Sequence, residues 1–282
     1  MVVSRFVRYE YSLWYSSTIV LQKSIFFKIA NIVIETRFND NEELPELYTA
    51  FKQKIDHLNP FIIKGQKNDF LVTVDFKNSF DIVQDNKLKR KSIIFYEEIS
   101  KEHFRTYYHI SGEQFTIIIR DIVQKFLSKK NGVILHGSAV VDKSNQGLLF
   151  LGESGAGKST IVQLLNPKFR ACADDILILR KEGQLFYLYQ TPFIQKNYYP
   201  KYKTGKFVLS KIYFLKKGRE EKTSIIKPEN KIIFLLKQLF TNEEDRNQQI
   251  RFLLSLIQNL ENIFFLTFSK SNKKKLLNIL QK

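Results

Sequence analysis

Three glycines, a lysine and two serine hydroxyls occur together in Gly152-Glu153-Ser154-Gly155-Ala156-Gly157-Lys158-Ser159. The spacing is that of a phosphate-binding loop, G-x-x-x-x-G-K-[ST]. Glycines let successive backbone N–H groups turn inward as a nest for phosphate oxygens. A helix that starts directly after the loop adds the positive end of its dipole. Lys158 can then reach the β- and γ-phosphates as a point charge, and the Ser159 hydroxyl can ligate Mg²⁺. The nucleotide-binding set read from the sequence is Gly152, Glu153, Ser154, Gly155, Ala156, Gly157, Lys158, Ser159 and Thr160, with ATP and Mg²⁺ as the expected cofactors.

A second acidic element lies close by. Asp174-Asp175 follows Lys158 by sixteen residues and precedes the apolar run Ile176–Leu179. An Asp pair before a strand has the composition of a solvated turn. Next to a phosphate loop, two adjacent carboxylates can also divide the labour, one holding Mg²⁺ and the other accepting a hydroxyl proton. His136 ends an apolar stretch eleven residues before Gly147. It is either a structural strand-end histidine or a group that approaches the phosphates.

These groups need a sheet to hold them. Leu148–Leu151 reads as a buried strand leading into the loop, and Ser159–Leu165 as the helix leaving it, stopped by Asn166-Pro167. Ser138–Val141 and Gly147–Leu151 predict a hairpin, with Val133–Leu135 before it. Apolar residues at Phe115, Ile118, Ile119, Ile122, Val123 and Phe126 predict a helix over 113–128. Further on, strands are predicted at 176–179, 185–190, 211–215 and 263–268, and helices at 228–240, 245–260 and 272–280. The first hundred residues predict short strands (6–15, 18–21, 25–34, 70–76 and 92–97) and one short helix, without a catalytic constellation.

The chain has 282 residues, with 44% apolar and 26% charged residues, a globular composition long enough for one or two domains. Its single cysteine, Cys172, excludes an intrachain disulfide, and the four histidines form no ligand cluster with it. A cytoplasmic location is expected. No apolar run approaches the ~18 residues of a membrane span, and no leader-like segment opens the chain. The net charge is +17, and it is unevenly spread. Residues 1–108 carry 16 Lys/Arg against 14 Asp/Glu, whereas 109–282 carry 29 against 14. A basic half of this kind attracts polyanions, although a lysine-rich composition alone produces the same excess. Within it, 196–206 alternates lysines with Tyr198, Tyr199 and Tyr202, suited either to an acidic partner or to a solvated loop.

The runs GVILHGSAVV, GLLFLGESGAGKST and ACADDILIL together resemble the kinase domain of HPr serine kinase/phosphorylase and its small stand-alone relatives. The nucleotide site is also similar to that of phosphoenolpyruvate carboxykinases. Thr191-Pro192-Phe193 resembles a further element of the small relatives, whereas Ile194-Gln195 departs from their pattern. The resemblance implies an α/β fold, an HPr-kinase/PEP-carboxykinase-like P-loop domain with a mixed sheet over 109–282. A small, mostly β accessory module over 1–108 precedes it. It implies an ATP-dependent serine kinase, with Asp174 as general base, Asp175 and Ser159 as metal ligands, and His136 and Lys158 at the γ-phosphate. The implied acceptor is a peptide or protein, a ribosomal precursor peptide among them. A homo-oligomer is expected, and nucleic acid is not expected as a partner. A small-metabolite kinase and a non-catalytic, nucleotide-dependent regulatory module are the alternatives.

Overall fold

The computed structural model describes residues 23–39, 44–75, 81–85, 90–193, 205–241 and 245–281. The strands expected at 6–15 and 18–21 lie outside these residues, as does 194–204, most of the lysine- and tyrosine-rich stretch. The chain is mixed α/β and divides into two compact units. The first takes in the described residues up to Phe27, then Val33–Asp56 and Ile63–Gly112; the second takes in Lys28–Ile32, His57–Ile62 and Glu113–Lys282.

The N-terminal part contains β1 (Ser24–Ile29), β2 (Ile32–Phe38), α1 (Leu44–Lys54), β3 (Ile62–Ile63), β4 (Phe70–Asp75), β5 (Asp81–Asp85), β6 (Arg90–Ile94), β7 (Tyr96–Ser100) and β8 (His103–Tyr107). Its main sheet has the order β3-β1-β2-β4-β8-β7, and β5 and β6 form a separate hairpin. β2, β4 and β8 run parallel to one another. Phe38 packs edge-on against Tyr48 and Phe51 of α1.

The remainder contains α2 (Gly112–Lys129), β9 (Gly132–His136), β10 (Ser138–Val141), β11 (Gln146–Leu151), α3 (Lys158–Leu165), β12 (Arg170–Ala173), β13 (Ile176–Glu182) and β14 (Leu185–Tyr189). Then follow β15 (Lys206–Lys217), β16 (Lys222–Ile225), α4 (Pro228–Leu236), α5 (Arg246–Asn259), β17 (Ile263–Phe268) and α6 (Lys273–Leu280). The sheet order is β12-β10-β11-β15-β14-β13-β9, with β17 along the far half of β15 and β16 on β17. β11, β15 and β17 are parallel, in the register Leu151↔Phe214 and Phe214↔Phe265.

Successive residues of a strand face opposite sides of the sheet, and β11 shows what this demands. Leu149 and Leu151 enter one apolar cluster with Leu235, Leu253 and Leu256 of α4 and α5. Leu148 and Phe150 enter another with Ile161, Val162 and Leu165 of α3 and with Leu276, Leu277 and Leu280 of α6. Covered on both faces, β11 is apolar over Leu148–Leu151, which is why its sequence does not alternate there.

Two helices differ from the sequence pattern. In α2 it is Leu127, not Phe126, that is buried at the C-terminal end. α4 stops at Leu236 instead of continuing to Phe240. Residues 238–240 then run beside β9: His136 N–H donates to Gln238 O at 2.7 Å, and Phe240 N–H donates to Ile134 O at 3.0 Å. β9 ends the sheet order, and its exposed backbone groups need partners that only an extended segment supplies. Among the described residues no helix is long and apolar enough to cross a membrane.

Cys172 is buried in β12, and burial pushes its thiol up to about 12. The thiolate is the reactive form. The native protein at pH 8 is therefore expected to resist a colorimetric thiol reagent, and its single cysteine to react fully in guanidinium chloride. Fast labelling in native buffer would mean that β12 opens readily.

Candidate functional site

The loop Gly152–Gly157 joins the end of β11 to the start of α3. Gly157 caps the helix in a left-handed conformation (φ 100°), and no side chain caps the helix. The first N–H groups of α3 have no intrahelical partner and face the loop. Gly157 also has no room for a Cβ, which would lie 2.8 Å from the Phe268 ring. Gly155 (φ +76°) is likewise left-handed but meets nothing within 4 Å.

Lys158 is 8% exposed. Its Nζ donates to the loop carbonyls of Gly152 (2.8 Å) and Glu153 (3.2 Å). Burial lowers its pKa from the ordinary lysine value, against the opposing pull of Asp175 and Asp174. Gly152 O is shared: with its amide turned to suit its neighbours, buried Gln238 donates to Gly152 O at 3.0 Å and to His136 O at 3.2 Å. One side chain thus ties the root of the loop to the end of β9.

The two aspartates have different surroundings. Asp174 is 3% exposed, and its Oδ1 accepts from Ser138 Oγ (2.7 Å) and from Ser159 Oγ (3.0 Å). Asp175 lies 3.1 Å from His136 Nε2, and its carbonyl accepts from Gly137 N–H at 3.0 Å. Adjacent strand residues would point to opposite faces. Asp175 has φ 77°, the left-handed region that Asp enters more readily than most residues. This kink between β12 and β13 lets both carboxylates reach the same place.

The His136 pKa is lowered, first by burial and then by Lys158, with Asp175 and Asp174 pulling the other way. The lowered pKa favours the neutral imidazole, and Nε2 is the ring nitrogen placed to donate to Asp175. Phe240 lies against the ring, with centroids 6.4 Å apart.

His136, Ser154, Gly155, Gly157, Lys158, Ser159, Thr160, Asp174 and Asp175 line one cavity of about 430 Å³. Gly152, Glu153 and Ala156 line a neighbouring one. The residues assigned from sequence to the nucleotide, the metal and catalysis thus all line these two cavities. Ser138 and Gln238 were not singled out. Ser138 stands two residues past His136 with no motif of its own, and Gln238 is brought in by the early end of α4. Thr191 is buried and donates to Ile176 O at 2.9 Å, securing the start of β13 beside Asp175. Of the lysine- and tyrosine-rich stretch, only Gly205 and Lys206 are described.

No family model matches the chain, and no curated protein matches it. Among solved structures it is similar to the HPr(Ser) kinase/phosphatase from Coxiella burnetii. The match has 14% identity and a TM-score of 0.31, and covers 52% of this chain and 96% of that one.

The two loop glycines predict unequal costs. Gly155→Ala should destabilise by about 1–2 kcal/mol, the cost of a left-handed non-glycine residue. Gly157→Ala should cost more, since its Cβ also strikes Phe268. Urea denaturation of both variants measures this, and equal costs would contradict the loop geometry.

Proposed function

We propose that the chain is an ATP-dependent kinase that transfers the γ-phosphoryl group to a hydroxyl, that of a serine in a peptide or protein. One observation carries the reading. A single cavity is lined by the loop and Lys158 together with Asp174, Asp175 and His136. Groups suited to phosphate and groups able to take a proton thus share one space, as phosphoryl transfer requires.

Ser159 Oγ and Asp174 Oδ1, 3.0 Å apart, are hard oxygen donors of the kind Mg²⁺ accepts. Among the described residues no group of three or more His, Cys, Asp or Glu could hold a metal. Mg²⁺ does not need one, because it keeps waters and takes phosphate oxygens from the nucleotide. Ser159 and Asp174 would hold it, and when bound it would neutralise charge on the phosphate oxygens.

This divides the aspartates differently from the family resemblance. Asp174 is buried and committed to two serine hydroxyls, so it suits a fixed metal ligand. Asp175 is more open and adjoins neutral His136, so it suits proton transfer. In the proposed step the acceptor oxygen attacks the γ-phosphorus as its proton passes to Asp175. The bond to the β–γ bridging oxygen breaks, and ADP leaves with that electron pair. The N–H groups at the start of α3 and the Lys158 ammonium, drawn off its loop carbonyls, stabilise the charge on the transferring group.

Three variants test the reading. Lys158→Ala should weaken Mg·ATP binding by about 1.5–3 kcal/mol in titration calorimetry, the loss of a charged phosphate contact. Asp175→Asn should keep ATP affinity within a few fold while ³²P transfer to a serine acceptor falls by ~10²–10⁴. Asp174→Asn should instead raise the Mg²⁺ concentration needed for half-maximal rate. The opposite pattern in the two aspartate variants would return the base role to Asp174. Unchanged ATP affinity in Lys158→Ala would remove the phosphate-loop reading.

A further inference from the structure

A separate cavity of about 240 Å³ shares no lining residue with the phosphate cavity. Gln190, Lys28, Lys206 and Asn31 give it polar walls, and Phe61 and Ala30 give it apolar ones. All of these residues belong to the second compact unit. We propose that this cavity binds a small α-hydroxy carboxylate, with the hydroxyl and one carboxylate oxygen on the Gln190 amide and the negative charge at Lys28. The inference does not rest on the nucleotide reading above.

Gln190 is the starting point. It is only 7% exposed, and its main-chain N–H is taken by Gly205 O at 3.0 Å. Its side-chain amide has no hydrogen-bond partner among the described residues. Buried amides are costly when left unpaired, and native proteins pair nearly all of them. The Gln190 Oε1 stands beside Gly205, where an added Cβ would lie 2.9 Å from it. The amide therefore faces space that Gly205 leaves open and that belongs to the cavity. Turned either way, it presents a donor and an acceptor side by side. A ligand that satisfies both needs an acceptor and a donor on neighbouring atoms. The carboxylate oxygen and adjacent hydroxyl of an α-hydroxy acid have that arrangement.

The lysines set the charge. The Lys206 ammonium pairs with Glu182, which also accepts from Tyr189 OH. That phenol accepts in turn from Asn31 Nδ2 at 3.2 Å, so it is engaged as donor and as acceptor. Lys28 is exposed and has no acidic partner among the described residues. One uncompensated ammonium matches one negative charge. A phosphate monoester carries close to two, and an amino acid would set its own ammonium against Lys28. Phe61 and Ala30 suit a short apolar substituent, as in most small-molecule sites.

The test is an NMR titration of the ¹⁵N-labelled full chain with lactate, propionate, alanine, methyl lactate and inorganic phosphate. The Gln190 side-chain NH₂ signal is identified by its loss in Gln190→Met, which keeps the side-chain length without the amide. In wild type, lactate should shift that signal and saturate in the millimolar range. Propionate lacks the hydroxyl and methyl lactate lacks the charge. Each should bind about threefold to tenfold more weakly, the size of one lost hydrogen bond or charged contact. Gln190→Met should bring lactate to the propionate level and leave propionate within about twofold. Lys28→Gln should weaken lactate and propionate alike and leave methyl lactate unchanged.

A Gln190 signal that no ligand shifts would overturn the proposal, and so would equal wild-type affinity for lactate and propionate. Alanine binding more tightly than lactate would give the cavity to amino acids instead. Phosphate displacing lactate at lower concentration would make it a phosphate site. Either result replaces the α-hydroxy acid. A lactate preference that persists in both variants would put the binding elsewhere on the chain. The wild-type comparisons decide the matter even where a variant fails to fold, and none of these outcomes bears on ATP binding at Lys158.

Discussion

The site is organised around a carboxylate that cannot be left alone. Asp174 is almost wholly buried, and a buried charge without partners is costly enough to reshape its surroundings. Its Oδ1 is satisfied by Ser138 from the start of β10 and Ser159 from the first turn of α3. These two hydroxyls belong to different layers, so the acid fixes the helix against the sheet. With α3 fixed at its N-terminus and β11 fixed by its two apolar faces, Gly152–Gly157 has little freedom in how it crosses between them. The loop's shape thus follows from where a negative charge is buried, as much as from its glycines.

The same economy holds for the positive charge. Lys158 is poorly solvated, and its ammonium rests on two loop carbonyls. Those bonds are worth little net against water, so a phosphate, offering full charges at the same place, can compete for the lysine. Gly152 O has a second donor, because Gln238 also reaches it. Since Gln238 reaches His136 O as well, the root of the loop and the strand carrying the histidine are held to a common point.

Much of this was legible from residue order because local chemistry dictates it. An all-apolar strand, a glycine-rich turn and an amphipathic helix in succession leave few alternatives for Leu148–Leu165. The Asp pair was legible as a pair. Its internal division was not, because it depends on the left-handed backbone of Asp175, and nothing in ADDI indicates which aspartate will meet Ser159. Gln238 was hidden for a related reason. The pattern over 228–240 is helical in period, but the open edge of β9 claims residues 238–240 for backbone pairing. The short β12 was missed because four residues carry too little periodicity to register, although its end delivers Asp174.

β12 and β11 flank β10, and both run antiparallel to it. They are therefore parallel to each other, and their carboxyl ends emerge at one edge of the sheet. Asp174 follows one end and Gly152 the other. β13 pairs with β9 antiparallel, Ile176 opposite His136, so the histidine closes its strand where Asp175 opens the next. β15 brings Phe214 to the same edge beside Leu151 through its parallel register. Groups scattered over some eighty residues of sequence thus converge without a long loop, through strand direction alone. The loop and the acids are rooted at the ends of neighbouring strands, and such anchoring holds groups in register more tightly than a long free loop can.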